Sequence, residues 1–375
     1  MGGPSVTFPN DPGGQVGQGG SAPQHDRVGR RVAALLSVSF LLLALAAVLA
    51  LIPLPYAVMS PGPVTNTLGF IDGRQIIDVD GAQTYHPSTG KLLFTTVRVS
   101  GGPGQKLTAY DLLRAGLDDA EEVYPEEEIF PQSATRESVQ KENAAEMEGS
   151  QRTAAAVAQR ALGREVPVTV LVDDVVKGSP ADGLVRADDV LVSVDGTGAT
   201  SPDVVRQAVR AHKPGEEVAL TVRRAGTDVV VRPVTADTDG VATIGVLMRS
   251  RYELPIDVTI HAGAVGGPSA GMMFALGIYD VLTEGPLAGD QTIAGTGTIG
   301  DDGSVGPIGG IRQKLVGARS AGAEFFLVPA DNCADVVGHV PAGLTLAKVG
   351  TFDEARAAVE AIAAGRAADL PGCPS

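Results

Sequence analysis

The longest uninterrupted hydrophobic run of the chain lies near its N-terminus. The segment Val32–Ile52, VAALLSVSFLLLALAAVLALI, holds 21 residues without a charged side chain. A helix of that length rises about 31 Å, which is enough to cross the hydrocarbon core of a bilayer. Three arginines precede it, Arg27, Arg30 and Arg31. The pattern therefore predicts a transmembrane anchor over residues 27–52, with the N-terminus in the cytoplasm and the remaining chain outside it.

A cleaved signal peptide is the alternative interpretation of this run. It is the weaker one, because the run is longer than the apolar region of a usual signal peptide and Pro53-Leu54-Pro55 follows it in place of a small-residue cleavage site. Residues 1–26 are rich in Gly, Pro, Gln and Ser and are predicted to be a disordered cytoplasmic tail. We therefore expect a single-pass protein of the cell membrane with an extracytoplasmic main body.

Residues 53–163 show a mixed pattern, which predicts a connector that packs on the C-terminal domain. Residues 53–70 contain four prolines and are expected to be extended. A strand is predicted over Lys91–Val99, KLLFTTVRV, and a helix over Leu107–Leu117. The stretch Ser133–Leu162, rich in Ala, Glu and Gln, predicts one long helix or two helices that end at a glycine.

Between residues 164 and 238 the pattern changes to short strands separated by glycine turns. VPVTVLV predicts a strand, SPDVVRQAVRAH a helix, and VALTVRR and DVVVRPV two further strands. The segments GSPADGLVRADDVLVSVDG and PGEEVALTVRRAG resemble a PDZ domain of the kind associated with bacterial proteases, although Asp188-Asp189 stands where that family more often has Gly-Asp. The resemblance implies a groove beside a strand edge that takes an extended peptide. Residues 161–164 are the expected carboxylate-binding loop, and a spacer with no open groove is the alternative.

Residues 239–365 contain the motif that points to chemistry. The sequence GGPSAG, residues 266–271, opens the apolar helical run MMFALGIYDVL. Its glycines allow a substrate backbone to approach closely, and a helix N-terminus offers unpaired N–H groups to an oxyanion. Ser269 is therefore a candidate nucleophile, and G-x-S-x-G is the pattern of the α/β-hydrolase nucleophile elbow. An N-cap serine without chemistry is the alternative, so the choice depends on finding a base.

Histidine and lysine are both available as that base. His339 is the only histidine after Ser269 and could complete an α/β-hydrolase triad, but a β-rich unit stands where that fold needs a parallel βαβ series. Lys348 ends a strand-like run and is most simply an edge charge. Lys314 follows the loop VGPIGG at the start of a predicted helix, on the face that carries Ile311. Partial desolvation there lowers the pKa of an ammonium group, so Lys314 could accept the proton of Ser269.

The same segment carries a family resemblance. GGPSAG followed by AGTGTIGDDGSVGPIGGIRQKLVGARSAGAEFFLVP resembles the proteolytic domain of Lon proteases, and the 45-residue separation of Ser269 from Lys314 agrees with that family. We expect backbone N–H groups near Ser269, with those of Gly266 or Gly267, to form an oxyanion hole. The resemblance implies that Ser269 is the nucleophile, Lys314 its general base and Thr296 a support for the lysine. It also implies a homo-oligomeric ring. The chain as a whole resembles the membrane-anchored PDZ-containing Lon-like proteases of bacteria.

Three departures from the Lon pattern bear on this interpretation. Val265-Gly266 stands where the family has Lys-Asp, and Thr296-Gly297-Thr298 lacks the acid of the family's Thr-Gly-Glu. These two departures concern the substrate specificity and the hydrogen bonds around the Ser269–Lys314 pair. The third departure is that no G-x-x-x-x-G-K-[ST] motif occurs in the 375 residues, so we expect hydrolysis without ATP.

Composition limits the remaining classes of function. The formal net charge of −15 at pH 7 argues against nucleic-acid binding, which needs a basic surface. The two cysteines, Cys333 and Cys373, are too few for a zinc site, and we expect neither a metal nor a cofactor. Outside the cytoplasm the two cysteines are candidates for a disulfide, with two free thiols as the alternative.

Together these patterns predict an α+β protein. It consists of an N-terminal transmembrane helix, a small β-rich PDZ domain over residues 164–238, a mixed α/β Lon-type proteolytic domain over residues 239–365 and a tail over residues 366–375. By resemblance, the proteolytic domain has the fold of ribosomal protein S5 domain 2. The predicted function is an ATP-independent serine endopeptidase for unfolded or flexible exported proteins and peptides. A non-catalytic membrane-anchored PDZ scaffold is the alternative.

Overall fold

The computed structural model describes residues 1–3, 5, 24–86 and 89–373, and the predicted disordered tail lies largely outside these ranges. Helix α1 (Gln24–Leu51) covers the predicted anchor. Within it, Gly29–Val48 has a mean hydropathy of 2.3 and no buried residue. In the part of the chain that is described, this is the one helix long and apolar enough to cross a bilayer.

The segment that follows contributes three strands to the large sheet of the C-terminal domain. Its elements are β1 (Pro53–Leu54), β2 (Tyr56–Asn66), β3 (Phe70–Ile71), β4 (Arg74–Gln75), β5 (Ile77–Asp80), β6 (Lys91–Gly101), β7 (Leu107–Thr108), α2 (Ala109–Ala115), β8 (Glu122–Pro125), α3 (Glu126–Ile129) and α4 (Arg136–Ala161). Most of residues 53–70, which were expected to be extended, form a strand inside the sheet, because β2 pairs with β6 on one side and β8 on the other. The register of β2 shifts between Pro61 and Val64, a position at which a strand tolerates proline.

The Ala- and Glu-rich stretch forms one helix, α4. The hydroxyl of Thr135 accepts a hydrogen bond from the N–H of Ser138, whose own hydroxyl accepts from the N–H of Thr135. At the other end, the N–H groups of residues 162–164 donate to carbonyls of the last helical turn. The prediction of a carboxylate-binding loop at residues 161–164 is therefore wrong, because these donors are used to end the helix.

The β-rich unit is built on one antiparallel sheet. Its elements are β9 (Val168–Val175), β10 (Val190–Val194), β11 (Thr197–Gly198), α5 (Pro202–Arg210), β12 (Leu220–Arg224), β13 (Thr227–Val231), β14 (Ala236–Thr238), β15 (Val241–Thr243) and β16 (Val246–Tyr252). The strand order is β13-β12-β10-β9-β16. Strand β16 pairs with β9 over its whole length, so the sheet extends past the predicted domain boundary at residue 238.

Two features of this unit account for particular residues in its sequence: the cap of helix α5 and the backbone conformation at Asp188. Helix α5 is capped by the Ser201 hydroxyl, which accepts from the N–H of Val204, and it packs Val205 and Val209 into the core. Asp188 has a φ of +64°, in the left-handed region. Glycine adopts that conformation at least cost, which is why it is more usual at this position.

The C-terminal domain is a six-stranded mixed sheet with helices on both faces. Its remaining elements are β17 (Asp257–Ile260), α6 (Gly271–Val281), β18 (Thr292–Gly295), β19 (Thr298–Ile299), β20 (Val305–Gly306), α7 (Ile311–Ser320), β21 (Phe325–Pro329), α8 (Cys333–Val336), β22 (Thr345–Val349) and α9 (Phe352–Ala363). The strand order is β22-β21-β18-β6-β2-β8, and β6, β18, β21 and β22 run parallel.

Alternate residues along these parallel strands belong to two different cores. Ile293 and Leu327 pack with α4, α6 and α9 on one face, whereas Ala294 and Phe326 pack with α7 on the other. Helix α6 is almost wholly buried, as its continuous apolar sequence requires. Helices α6 and α7 therefore lie on opposite faces, and their N-terminal ends meet beyond the carboxyl end of β18.

Candidate active site

Ser269 lies in the loop between β17 and α6, immediately before the helix. Helix α6 begins at Gly271 with Ala270 as its N-cap and has no side-chain cap, so the alternative in which Ser269 is an N-cap is wrong. A Cβ on Gly271 would lie 2.6 Å from Ser150 Oγ and 2.7 Å from Ile299 Cγ2. Glycine is therefore needed there for the loop to lie against α4 and β19.

Helix α4 fixes this loop through two hydrogen bonds. The Ser150 hydroxyl donates to the Pro268 carbonyl at 3.0 Å, and the Gly267 N–H donates to the Asn143 carbonyl at 2.9 Å. Sequence reasoning missed both α4 residues. Ser150 lies 118 residues before Pro268, and nothing in its local sequence distinguishes it from other polar helix residues.

Lys314 lies in the first turn of α7 and is 1% exposed. The helix follows Gly310, which has a φ of +67° and would place a Cβ only 2.5 Å from Met59 Sδ. This glycine lets the start of α7 lie directly on β2 and β6. Packing of Ile311 and Leu315 into the same core then buries the lysine that lies between them.

Ser269, Lys314 and Thr296 form a closed group of polar atoms at the carboxyl end of β18. Lys314 Nζ lies 2.8 Å from Ser269 Oγ and 2.9 Å from Thr296 Oγ1. The Thr296 hydroxyl in turn donates to the Ser269 carbonyl at 2.9 Å. The structure thus brings the three predicted side chains together, and Thr296 positions both the lysine and the serine backbone.

The electrostatic environment of Lys314 disfavours its charged form. Burial lowers the pKa of its ammonium group to about 7. Among the described residues no carboxylate forms an ion pair with it, so its polar contacts are the two neutral hydroxyls. Near neutral pH a large fraction of Lys314 is therefore a free amine within hydrogen-bond distance of Ser269.

Backbone N–H groups around Ser269 are candidate donors to an oxyanion. The prediction that Gly267 supplies one is wrong, because its N–H is bound to the Asn143 carbonyl. The N–H groups of Gly266, Ser269 and Ala270 have no hydrogen-bond partner in the part of the chain that is described. Those of Ser269 and Ala270 lie at the N-terminal end of α6, where the helix dipole favours negative charge.

The other candidate residues lie away from this group. His339 is exposed in the loop after α8, and its backbone N–H donates to Val336, so the structure does not bring it to Ser269. Lys348 is exposed on the edge strand β22. Cys333 and Cys373 are joined by a disulfide with Cα atoms 5.1 Å apart, which fixes the C-terminal segment beside α8.

Comparisons with known proteins match two segments of the chain. Residues 242–358 match the profile of the Lon protease (S16) C-terminal proteolytic domain, and residues 139–232 match that of the PDZ domain. Lon protease 1 of Sorangium cellulosum is 45% identical over 108 residues, which is 27% of this chain and 13% of that protein. Lon protease 2 of Bacillus subtilis is 33% identical over 113 residues, which is 29% of this chain and 20% of that protein.

The chain thus spans only a small part of the length of these relatives. Among solved structures, the PDZ domain of an SdrC-like protein from Listeria innocua is 26% identical and covers 21% of this chain and 92% of its own, with a TM-score of 0.20. Strand β16 lies in the segment that matches the Lon profile, and it pairs with β9 in the segment that matches the PDZ profile. The chain therefore contains a PDZ domain and a Lon-type (S16) serine proteolytic domain.

Proposed function

We propose that the protein is a membrane-tethered, ATP-independent serine endopeptidase in which Ser269 is the nucleophile and Lys314 its general base. One observation carries the assignment: Lys314 Nζ lies 2.8 Å from Ser269 Oγ, and the lysine is buried without a carboxylate partner. A base must lie within hydrogen-bond reach of the proton that it removes, and its pKa should lie near the working pH. Lys314 meets both requirements, with a pKa lowered by burial to about 7.

The reaction then follows from this geometry. Ser269 Oγ attacks the carbonyl carbon of the scissile peptide bond while the neutral amine of Lys314 accepts the hydroxyl proton. The resulting ammonium gives that proton to the leaving amine as the carbon–nitrogen bond breaks, which leaves an acyl ester on Ser269. Water then attacks the ester with Lys314 again as the base, and Ser269 is regenerated. Thr296 holds the amine through its hydroxyl at 2.9 Å.

The oxyanion of each tetrahedral intermediate is assigned to the backbone N–H groups of Ser269 and Ala270. They are free of other partners in the described part of the chain and lie at the positive end of α6. Gly266 remains a predicted third donor. None of these steps uses a nucleotide, in agreement with the lack of a phosphate-binding G-x-x-x-x-G-K-[ST] motif in the sequence.

The substrates are proposed to be unfolded, flexible or terminal segments of exported proteins, and the PDZ domain to select or position them. Membrane attachment is supported by the apolar span Gly29–Val48. Arg27, Arg30 and Arg31 ahead of the span favour a cytoplasmic N-terminus. A bonded Cys333–Cys373 pair suits an oxidising compartment and thus an extracytoplasmic catalytic domain. The homo-oligomeric ring remains a prediction from the resemblance.

Hydrolysis of a short fluorogenic peptide in the absence of ATP tests the enzymatic proposal. We expect the full-length protein to cleave it and to react with a serine-directed fluorophosphonate probe at Ser269. Ser269→Ala should abolish both, and His339→Ala, which removes the alternative base, should retain both. Intact peptide binding without labelling of Ser269 would instead support the non-catalytic scaffold. Cleavage of the catalytic domain by a protease added to intact cells tests the orientation, and full protection would refute it.

A further inference from the structure

The loop that leads into helix α7 has few polar attachments of its own. Residues 307–310 join β20 to α7, and Lys314 follows four residues after Gly310. Helix α7 begins without a side-chain cap. Pro307 has no N–H group, and a Cβ added to Gly309 would have no atom within 4 Å. The position of Lys314 therefore depends on the contacts that fix this loop from outside.

One buried side chain beyond the loop supplies such contacts. The carboxamide of Asn332 accepts a hydrogen bond from the Ile308 N–H at 2.9 Å and donates one to the Ile308 carbonyl at 3.0 Å. Among the described residues, the backbone of residues 307–309 makes no other hydrogen bond. Asn332 is 3% exposed, so both bonds are shielded from water. A carboxamide carries an acceptor and a donor side by side, so it pairs with both backbone groups of one residue, as a neighbouring strand would.

The parallel order of the sheet brings Asn332 to this loop. Residues 330–332 form a single 3₁₀ turn directly after β21. Strand β18, which ends next to Thr296, pairs with β21 in parallel. The carboxyl ends of parallel strands meet at one edge of a sheet. Asn332 and the proposed catalytic group therefore lie at the same edge, although they come from different strands.

The orientation of the Asn332 amide is fixed in turn by its neighbours. Its Nδ2 also donates to Asp335 Oδ2 at 3.0 Å. Asp335 lies on α8, and its carbonyl accepts a hydrogen bond from Arg312 Nε on α7 at 3.0 Å. Cys333, the residue after Asn332, is bonded to Cys373. The oxygen and the NH₂ group of the amide are thus already placed for the loop.

A displacement of the loop is transmitted directly to Lys314. Gly310 lies two residues after Ile308, and its carbonyl accepts the hydrogen bond of the Lys314 N–H in the first turn of α7. At the other end of the side chain, Lys314 Nζ is bound only to the hydroxyls of Ser269 and Thr296 in the described part of the chain. Hydrogen bonds weaken as their atoms separate, and a misplacement of about 1 Å can cost roughly 100-fold in rate.

We propose that Asn332 is a positioning residue of the peptidase, which through Ile308 keeps the start of α7 at the distance from Ser269 that proton transfer to Lys314 requires. The inference rests on the proposed function, because it assumes that these two residues are the nucleophile and the base. The Asn332 side chain forms its hydrogen bonds with Ile308 and Asp335 and not with the reacting atoms. It therefore acts on kcat and not on substrate binding.

The same loop keeps water away from the lysine. Lys314 is 1% exposed, and burial lowers its pKa to about 7. Ile308 packs against the core that contains Ile311 and Leu315, the neighbours of Lys314 on the buried face of α7. If the loop is released, water reaches the amine and stabilises the ammonium form. Loss of Asn332 should therefore raise the pKa of Lys314 as well as misplace it.

Asn332→Ala in the full-length protein tests this role. We expect kcat for a short fluorogenic peptide to fall on the order of 10- to 100-fold with little change in KM, because the base is misplaced and the substrate contacts are not. The midpoint of the kcat/KM profile should move upward from about 7, toward the ordinary lysine value, as the Lys314 amine becomes hydrated. Part of the lost activity should therefore return at about pH 9.

Val336→Ala is the matched control. Val336 is 1% exposed on α8 and packs into the same core as Leu315, but its side chain has no polar group to bind the loop. The substitution should lower the melting temperature, as Asn332→Ala does, and yet leave kcat and the pH midpoint unchanged. If both variants lost the same share of activity per folded protein and kept the parent midpoint, Asn332 would be only a packing element and the inference would be overturned.

Hydrogen exchange followed by mass spectrometry tests the loop without catalysis. In Asn332→Ala, the amides of residues 307–316 should exchange about tenfold faster than in the parent protein and in Val336→Ala. Unchanged protection of this segment would overturn the inference whether or not the protein hydrolyses peptides. Failure of the parent protein to hydrolyse the peptide or to react at Ser269 would count against the proposed function instead.

A second variant covers the case in which Asn332→Ala does not fold. Asp335 is exposed, so Asp335→Ala should leave the fold intact while it removes one of the three hydrogen bonds of the Asn332 amide. We expect kcat to fall about threefold and exchange in residues 307–316 to rise by a similar factor. No change in either quantity would then overturn the inference.

Discussion

The PDZ domain and the proteolytic domain each bury a charged side chain, and they accommodate it in opposite ways. In the PDZ domain Asp189 is 3% exposed. Arg224 binds both of its oxygens at 2.8 and 2.5 Å, and the Arg186 N–H adds a third hydrogen bond at 2.9 Å. The hydrogen bonds from Arg224 hold the pKa of Asp189 below its ordinary value, so this carboxylate stays ionised.

In the proteolytic domain Lys314 is more deeply buried, at 1% exposure, and has no counter-charge among the described residues. Its neighbours are the hydroxyls of Ser269 and Thr296. Desolvation lowers the pKa of Lys314 to about 7, so a large fraction of this side chain is uncharged near neutral pH. If this lysine had only a structural role, an ion pair with a carboxylate could have stabilised its charge, as Arg224 stabilises that of Asp189 in the PDZ domain.

The difference separates a structural charge from a reactive one. A buried ion that is hydrogen-bonded to a counter-charge keeps its charge and is a weak base at neutral pH. A buried amine next to a hydroxyl, with nothing to stabilise the ammonium, becomes a base at neutral pH. The predictions below test whether the two sites differ in this way.

Replacing Lys314 by methionine should have the largest effect. Methionine fills a similar volume without the amine, so hydrolysis of a short peptide should fall on the order of 10³-fold or more. The same change removes the cost of burying an ammonium, so the melting temperature at pH 6 should rise. Activity and thermal unfolding measured on the same protein check both effects.

Lys348→Met is the matched control, because Lys348 is exposed on an edge strand and should change neither quantity. A Lys314→Met protein that is folded and retains most of its activity would show that the buried amine is structural, like the PDZ pair. A Lys314→Met protein that is inactive and less stable would show that the lysine is mainly a packing element.

The change of activity with pH should be the next largest effect. Lys314 acts as a base only when neutral, so kcat/KM for a short peptide should rise about tenfold per pH unit below 7 and level off above it. Stability should follow the same group. Its folded pKa of about 7 lies below the ordinary lysine value of 10.5, so the cost of burial is fully present below pH 7 and vanishes as the pH rises to 10.5.

Profiles of kcat/KM and of the rate of labelling at Ser269 check this prediction, with circular dichroism to confirm that the protein is folded at each pH. Asp189 gives no inflection in this range, because its pKa is lowered from 3.8. A flat profile between pH 5 and 9, or a midpoint near the ordinary lysine value, would contradict the role given to burial.

Much of the candidate site could be predicted because its signals are local. GGPSAG and PIGG-x-x-x-K each combine glycines with one reactive residue over a short stretch, and their separation matches a known family. The glycines at 271 and 310 are explained by close contacts that exclude any Cβ. Burial of Lys314 followed from the apolar face of its own helix, which the sequence displays directly.

The errors all involve partners far apart in the sequence. Strand β9 pairs with β16, more than seventy residues later, so the edge strand of the PDZ sheet could not be found near residues 161–164. The N–H of Gly267 donates to the carbonyl of Asn143, 124 residues earlier in the sequence. The prolines of β2 argued against a paired strand, but in the structure they lie at a shift in its register. Local composition predicts elements, whereas strand order and hydrogen-bond partners are set by tertiary packing.

The smallest expected effect is that of Asp189→Asn in the PDZ domain. The substitution leaves Arg224 facing a neutral amide, which should destabilise the PDZ domain by about 1–3 kcal/mol, less than for a fully buried pair because Arg224 is 26% exposed. Urea unfolding measures this change. Hydrolysis of a short peptide should be nearly unchanged, because neither residue contacts Ser269 or Lys314.

Asp228→Asn is the matched control. Its partner Arg223 is on the same hairpin, but both side chains are about half exposed, so no change in unfolding is expected. The lowered pKa of Asp189 also fixes the pH range of the effect. The pair stabilises the fold above pH 3.8 and loses that contribution as the pH falls below it, so Asp189→Asn and the parent protein should converge in acid. If Asp189→Asn instead abolished short-peptide hydrolysis without altering unfolding, the PDZ charge pair would belong to the catalytic machinery, and the distinction between the two buried charges would fail.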